Sequence, residues 1–196
     1  MEFTVSIANS SQRTEAAGLV DQCYWAAYRI RPSELFGAKK PFSRQQVLVA
    51  CSADGEVLGT ATLTWPSREG QFPGEYLFHG NFRQPELSFD WPHMVEYGKL
   101  AIRPGAPRGV FTELQKAFVR YGRENGIKGF VAVVRTDLGE RLRGCFSYVT
   151  VDTCLHETGP IEADLFRKLS TYIDNGELKF IASTLDAVAE GLAINE

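Results

Sequence analysis

The sequence lacks the features that identify membrane proteins, metal-binding proteins and disulfide-rich proteins. No apolar run approaches the roughly 20 residues that a membrane-spanning helix needs, and no basic segment leads into an apolar one at the N-terminus. The four cysteines are scattered, with no C-x-x-C pair that would predict a zinc or redox site: Cys23, Cys51, Cys145 and Cys154. The three histidines form no pattern typical of a metal site or a catalytic triad. These absences favour a cytoplasmic protein with no membrane span and no bound metal.

Strong charge of either sign is also absent. The 196 residues carry a formal net charge of -3, which argues against a general nucleic-acid-binding protein. The hydrophobic fraction of 44% and the charged fraction of 23% are ordinary for a globular protein. There is no internal repeat and no low-complexity tract. The length therefore predicts one domain with a sizeable core, or one domain with an appendage.

Segments with strand and helix patterns alternate along the chain. Strands are predicted where apolar residues alternate or cluster, at 3–8, 47–52, 57–65, 94–102, 129–135, 146–155 and, more weakly, from 178 onward. Helices are predicted where apolar residues recur at helical spacing, at 12–30, 110–125, 161–173 and the C-terminus. Residues 67–93 form a long connection rich in glycine, proline and aromatic residues. A connection of this length is uncommon unless it has a function such as covering a site.

The most informative segment is MVEYGKLAI at residues 94–102, which has an acidic residue inside a strand built for burial. A buried carboxylate costs several kcal/mol of folding free energy unless it is hydrogen-bonded, solvated by a pocket or partly protonated. Glu96 is therefore a candidate general base. Two other interpretations stay open, an exposed position on an edge strand and an ion pair with Lys99.

This strand is followed by a loop rich in arginine, proline and glycine, residues 103–109, and then by an amphipathic helix. Basic side chains and free helix N–H groups meet there, and together they can bind an anion of phosphate size. The candidate anion ligands are Arg103 and Arg108, with Gly109 at the turn into the helix. The alternative is that both arginines only solvate the loop. A buried acid beside a phosphate site predicts a transferase that deprotonates one substrate and holds the other by a phosphate group.

The sequence EYGKLAI at residues 96–102 resembles the E-x-[GS]-[RK]-[LF]-A-[VI] strand of one branch of the GNAT N-acyltransferases. That branch contains the long-chain N-acyl amino acid synthases and the related acyl-homoserine-lactone (autoinducer) synthases. Residues 72–78 and 111–134 are similar to the same branch, so the resemblance covers roughly the first three quarters of the chain. It implies an α/β (α+β) GNAT fold with a mixed central sheet flanked by helices. Residues 1–155 would form the N-acyltransferase domain, and residues 156–196 a C-terminal extension packed on it.

The resemblance implies direct transfer of an acyl group from a thioester to an amine. Glu96 would deprotonate the amine, with Lys99 as its ion-pair partner or orienter in the catalytic site. The donor's thioester and pantetheine arm would lie along the backbone of three residues: Leu100, Ala101 and Ile102. The acyl and acceptor pockets would be lined by aromatic residues of the first helix and of the long connection: Trp25, Tyr28, Phe78 and Phe82. The alternative is that these aromatic residues complete the protein's own core.

The segment after the central strand departs from ordinary acetyltransferases of this fold. Their Q/R-x-x-G-x-G/A loop lets backbone N–H groups approach the pyrophosphate of coenzyme A. Here only Gly109 is present, and the bulky Val110 and Phe111 follow it. A donor carried on acyl carrier protein has a single phosphodiester, for which a weaker anion site suffices. We therefore expect no permanently bound cofactor, acyl carrier protein as partner, and acyl-phosphopantetheine on that carrier or acyl-CoA as cosubstrate.

Two alternative functions stay open at this stage. One is an acetyl-CoA-dependent N-acetyltransferase of small molecules with the same fold. The other is a catalytically silent GNAT-like domain that binds an acyl carrier or a partner protein. The preferred interpretation is an N-acyltransferase that transfers a long-chain acyl group from acyl carrier protein to an amino acid or a similar small amine.

Overall fold

The computed structural model describes residues 2–35, 44–76, 78–80, 82–83, 87–151, 153–155 and 178–194. Its strands are β1 (Phe3–Ile7), β2 (Gln45–Ser52), β3 (Val57–Thr64), β4 (Phe78–Gly80), β5 (Met94–Ile102), β6 (Gly129–Arg135), β7 (Val149–Thr150), β8 (Thr153–Leu155) and β9 (Leu178–Thr184). Its helices are α1 (Ser10–Tyr28), α2 (Pro32–Leu35), α3 (Val110–Glu124), α4 (Thr136–Arg143) and α5 (Leu185–Gly191). None of these described helices is both long and apolar enough to cross a lipid bilayer.

Seven strands form one mixed sheet in the order β1-β2-β3-β5-β6-β9-β7. Every neighbouring pair is antiparallel except β5 and β6, which run parallel. A parallel pair needs a crossover connection, and α3 supplies it. The short strands β4 and β8 pair separately as a two-stranded sheet. The structure thus has the mixed central sheet flanked by helices that the sequence predicts.

Different parts of the chain cover the two faces of the sheet. On one face α3 and α5 pack over a core whose buried side chains include Leu63, Val95, Phe118, Phe130 and Ile181. On the other face α1 packs over Val49 and Val57. Next to α1, the 67–93 connection packs its aromatic residues over Phe180. Because side chains alternate between faces along a strand, Glu96 and Tyr97 lie on opposite faces.

The two long helices begin where the sequence provides an N-cap. The Asn9 side chain accepts a hydrogen bond from the Gln12 N–H, and the Gln12 side chain accepts one from the Asn9 N–H, each at 3.0 Å. This reciprocal capping box fixes the start of α1. The helix α3 follows Gly109, whose φ of 99° places it in the left-handed region that favours glycine. Both helices end within two residues of their predicted bounds.

Two elements differ from the sequence prediction. The strand predicted at 146–155 is divided into β7 and β8, which belong to different sheets. The sequence does not predict α4, because only Leu138 and Leu142 among its eight residues are apolar and Gly139 lies between them. The helix predicted at 161–173 lies outside the described residues. Further along, β9 lies inside the main sheet between β6 and β7, so the described C-terminal residues share the sheet of the N-terminal ones.

Candidate active site

A β-bulge in β5 accompanies an opening in the middle of the sheet. Two β5 residues, Lys99 and Leu100, lie opposite the single β3 residue Ala61. Lys99 has a φ of 51°, a left-handed conformation that is uncommon for a residue with a side chain. A bulge of this kind bends its strand locally. On the other side, β5 pairs with β6 only over Met94–Glu96, and beyond this point the two parallel strands are no longer paired.

The space between β5 and β6 contains a cavity of about 330 Å³, which we call the cleft. This volume is at the lower end of the range for small-molecule sites. Its walls come from α1, β5, α3, β6 and α4. Because α1 and α3 lie on opposite faces of the sheet, the cleft passes through the sheet between the two separated strands. An extended substrate arm can therefore lie along β5 and reach both faces.

Glu96 lies at the point where β5 and β6 separate. Its half-buried side chain accepts a hydrogen bond from the Gly74 N–H at 2.5 Å. Loss of solvent raises the pKa of Glu96 to about 8, although the bond from Gly74 and the positive charge of Lys99 act to lower it. The negative charge of Glu75 adds to the increase. A carboxyl group with a pKa close to neutral pH is suited to accepting a proton during a reaction.

The 3₁₀ turn Pro73–Tyr76 brings the long connection onto Glu96. A Cβ atom at Gly74 would lie 2.6 Å from Cγ2 of Val133 and 2.9 Å from Cε2 of Phe180, distances that side chains do not adopt. The lack of a side chain at Gly74 therefore lets its backbone approach the sheet closely enough to donate to Glu96. The connection folds over the strand that carries Glu96, as the sequence predicts.

An ion pair within the connection holds this turn. Glu75, next to Gly74, is buried and binds the guanidinium group of Arg83. Arg83 also donates to the carbonyl oxygen of Gly70 at 2.5 Å and lies over the Trp91 ring at 5.2 Å. Burial raises the pKa of Glu75, and the bond from Arg83 opposes this increase. Contacts within the connection itself thus hold the Gly74 N–H in position to donate to Glu96.

Two tyrosines of α1, Tyr24 and Tyr28, line one wall of the cleft. The rings of Tyr24 and Tyr28 pack edge to face, with centroids 5.6 Å apart. Burial raises the pKa of Tyr24, and the neighbouring Tyr28, Cys23 and Glu96 raise it further. Tyr24 therefore lies within the electrostatic reach of the Glu96 carboxylate.

The opposite wall has a polar pair that sequence reasoning missed. The buried side chain of Gln115 in α3 donates from Nε2 to the hydroxyl of Tyr97 at 2.8 Å. Both residues line the cleft. The only sequence signal for this pair is a glutamine on the buried face of an amphipathic helix, where apolar residues are expected.

The structure brings together the residues expected at the centre of the site. Lys99 and the three residues Leu100, Ala101 and Ile102 line the cleft. Lys99 lies close enough for its charge to act on Glu96. No group of three or more potential metal ligands occurs within the described ranges of the chain.

The two arginines of the 103–109 loop have different surroundings. Arg103 donates to the carbonyl oxygen of Val57 at 3.0 Å, and it forms ion pairs with Glu56 at 3.2 Å and Glu15 at 3.6 Å. These ion pairs offset the positive charge of Arg103 within the protein, which argues against the expected role of Arg103 as an anion ligand. Arg108 is exposed and forms no ion pair with any residue that the structure describes. It lies beside Gly109 at the N-terminus of α3, which has no side-chain cap.

Three of the four aromatic residues expected in the acyl and acceptor pockets do not line the cleft. The Trp25 side chain is 45% exposed and contacts two arginine side chains at 5.0 and 5.8 Å. Phe78 is only 2% exposed and packs on the ring of Phe180, with centroids 5.9 Å apart. Phe82 packs on the same ring at 5.2 Å. These contacts favour the alternative in which Phe78 and Phe82 complete the core. Tyr28 lines the cleft.

Both the sequence and the fold resemble known acyltransferases. A model of the family described as N-acyl amino acid synthase FeeM matches residues 15–172. FeeM from uncultured soil microbes superposes with a TM-score of 0.63 at 14% identity, covering 97% of this chain and 96% of FeeM. An acetyltransferase of the GNAT family from Staphylococcus aureus Mu50 superposes with a TM-score of 0.56 at 11% identity, covering 94% and 99%. YncA of Salmonella typhimurium, solved with its cofactor acetyl-CoA, gives 0.52 at 16% identity, covering 95% of each chain.

The architecture shared with these proteins is the GNAT fold, as the sequence motif at residues 96–102 predicts. No curated protein matches the chain in sequence.

Proposed function

Because the chain belongs to the N-acyl amino acid synthase FeeM family, we propose that it transfers an acyl group from acyl carrier protein to the amino group of an amino acid or a similar small amine. Family and fold identify an acyltransferase. The observation that carries the proposal is the position of Glu96. Glu96 lies where the two parallel strands separate, next in sequence to Tyr97 and Gly98 of the cleft lining, and burial raises its pKa to about 8.

In the proposed reaction, Glu96 takes a proton from the ammonium group of the acceptor, directly or through a water molecule, because only the free amine can attack. The amine nitrogen then bonds to the thioester carbonyl carbon. The C–S bond breaks, and the departing thiolate takes up a second proton released by the amine. Backbone N–H groups of Leu100, Ala101 and Ile102, beside the bulge, stabilise the oxyanion that forms in between.

The start of α3 supports acyl carrier protein as the donor. The helix begins with Val110 and Phe111 after a single glycine, and Arg108 forms no ion pair with the described residues, whereas Arg103 forms two. Such a site can bind one phosphodiester through Arg108 and the N–H groups at the helix N-terminus. The pyrophosphate of coenzyme A needs a wider cradle of backbone N–H groups.

One observation favours a second candidate, an acetyl-CoA-dependent N-acetyltransferase. Two of the aromatic residues that the resemblance assigns to the acyl and acceptor pockets, Phe78 and Phe82, pack on Phe180, and Phe78 is 2% exposed. The described residues therefore provide space for a short acyl group in the cleft but no separate apolar tunnel next to Phe78.

The experiment that tests the proposal supplies the purified protein with acyl groups of two to sixteen carbons, each on acyl carrier protein and on coenzyme A. Mixed amino acids and simple amines serve as acceptors, and mass spectrometry identifies the N-acyl product. The proposal expects N-acyl amino acids, faster with carrier-bound donors, and their loss in the Glu96→Gln variant. Equal rates with acetyl-CoA would favour the N-acetyltransferase. A lack of product with every donor would favour the silent domain.

A further inference from the structure

Arg135 is the last residue of β6, and its side chain lines the cleft. Because side chains alternate between faces along a strand, Arg135 lies on the same face as Val131 and Val133. Val131 is the β6 residue that pairs with Glu96. Arg135 and Glu96 are therefore on the same face of the sheet, separated along β6 by roughly 13 Å of extended backbone.

Two contacts hold the guanidinium group of Arg135 in the cleft. Its Nε lies 3.2 Å from Oδ1 of Asp137, and its central carbon lies 5.2 Å from the centre of the Tyr28 ring. The bond from Arg135 lowers the pKa of Asp137, which favours the ionised carboxylate. Only 23% of the Arg135 side chain is exposed. Its two terminal nitrogens bind no other residue in the part of the chain that the structure describes.

The α1 helix links Arg135 to the base. Tyr28 contacts Arg135 at one end of the wall and Tyr24 at the other. Tyr24 in turn lies within the electrostatic reach of Glu96. The two tyrosines are one helical turn apart, about 6 Å along the helix axis. The cleft therefore has an aromatic wall with the Arg135 guanidinium group beside Tyr28 at one end, while Tyr24 at the other end lies within the electrostatic reach of Glu96.

We propose that Arg135 binds the carboxylate of the acceptor and selects acceptors that have both an amine and a carboxylate. This inference rests on the proposed acyl transfer. A guanidinium group donates two parallel hydrogen bonds to a carboxylate, and the contact of Asp137 with Nε leaves the two terminal nitrogens for this purpose. With its carboxylate at Arg135, an amino acid has its amino group on the adjacent carbon, on the side of the cleft that faces Tyr24 and Glu96. Acceptors that lack a carboxylate cannot make these two hydrogen bonds, and this difference in binding gives the selectivity.

The test compares amino acids with their carboxamides, which keep the amine and the side chain but lose the negative charge. The probes are glycine, L-leucine and L-phenylalanine and the three corresponding carboxamides, at a fixed donor concentration. The variants are Arg135→Gln and Arg135→Lys. The matched control is Arg143→Gln, because Arg143 in α4 contacts the hydroxyl and the ring of Tyr148 rather than the cleft.

Arg135→Gln should raise the KM for the amino acids by about 10- to 100-fold, the effect expected for losing hydrogen bonds between charged groups. The KM for the carboxamides and for the donor should stay unchanged. Arg135→Lys should give an intermediate KM, because it keeps the charge but loses the planar pair of donors. Arg143→Gln should leave the KM values for the amino acids, the carboxamides and the donor at their wild-type levels.

Equal losses for amino acids and carboxamides, or equal use of both by the wild type, would overturn the inference. A rise in the donor KM instead would assign Arg135 to the donor phosphate. If Arg135→Gln does not fold, the KM values of Arg135→Lys for amino acids and carboxamides test the inference instead. If the wild type acylates no amine, the proposed function fails, but calorimetry with L-leucine and L-leucinamide still tests the site. Binding of L-leucine that Arg135→Gln abolishes would support the carboxylate site, and no preference for L-leucine would overturn it.

Discussion

The segments on either side of β5 differ in how they are held. The connection before β5 places Gly74 against the sheet, aims its N–H at Glu96 and is held by the buried Glu75–Arg83 pair. The loop after β5 is rich in proline and glycine, and Arg108 in it is exposed. The first segment determines the environment of the reactive carboxyl group, whereas the second can only add or remove charge near the donor. Changes in the first segment and its partner Glu96 should therefore have large effects on chemistry and stability, and changes in the second only small effects on donor affinity or stability.

The largest effect is expected at the carboxyl group that the connection covers. Glu96→Gln keeps an oxygen that can accept the Gly74 N–H, so the fold should persist while the base is lost. Turnover should fall by about 100- to 10,000-fold with little change in donor affinity. Steady-state kinetics and a donor-binding assay check this expectation. A variant whose turnover stays within a few-fold of the wild type would remove Glu96 from the mechanism.

The same carboxyl group should make stability depend on pH. Its pKa is about 8 in the folded protein against 4.5 for an unperturbed glutamate, so the folded state binds the proton more tightly than the unfolded state does. The free energy of unfolding of the wild type should therefore decrease, relative to Glu96→Gln, as the pH rises from about 4.5 to about 8. In the same range kcat/KM should increase, because the base becomes ionised. Urea titrations and rate profiles of both proteins measure the two trends, and parallel stability curves would contradict the assignment.

Replacing Phe78 tests whether the aromatic residues of the connection complete the protein's core or line the acyl pocket. Because this side chain is buried against Phe180, Phe78→Ala should lower the free energy of unfolding by about 3–5 kcal/mol and leave the preferred acyl length unchanged. Phe82→Ala, at a half-buried position on the same ring, is the matched control and should cost less. Thermal melts and chain-length profiles of both variants separate the two roles. A preferred acyl length that moves toward longer chains in these variants would support the prediction that Phe78 and Phe82 line the acyl pocket.

Gly74 tests whether the close approach of the connection matters. Gly74→Ala places a methyl group against Val133 and Phe180 and should destabilise the fold by about 1–3 kcal/mol. It should also raise the apparent pKa of catalysis, because the N–H that favours the Glu96 carboxylate is displaced. Gly18→Ala is the control, since a Cβ there meets no atom within 4 Å and alanine favours the helix. Identical melting curves for Gly74→Ala and the wild type would show that the turn can shift to accommodate the methyl group without a loss of stability.

The sequence predicts what is encoded locally. The position of Glu96 inside a buried strand and the amphipathic period of α3 can be read from neighbouring residues, and both agree with the structure. The contact of Gly74 with Glu96 cannot, because it joins residues 22 positions apart through an irregular segment.

The surroundings of the arginines are equally hidden in the sequence. The partners of Arg103 come from α1 and from the turn before β3, and nothing in the 103–109 loop itself indicates these ion pairs. Arg135 escapes notice because nothing in its own strand indicates that α1 places a tyrosine ring beside it.

The smallest effects are expected in the loop after β5, where the two arginines should behave differently. Arg108→Ala should raise the donor KM only a few-fold, and the increase should shrink at high salt because the contact is ionic and exposed. Arg103→Ala should leave the donor KM unchanged and lower the free energy of unfolding by about 1 kcal/mol or less, as for other partly exposed ion pairs. Donor kinetics at low and high salt, with melting temperatures of both variants, measure this contrast. If Arg103→Ala raises the donor KM as much as Arg108→Ala does, the ion pairs of Arg103 open when the donor binds, and the loop acts as one anion site.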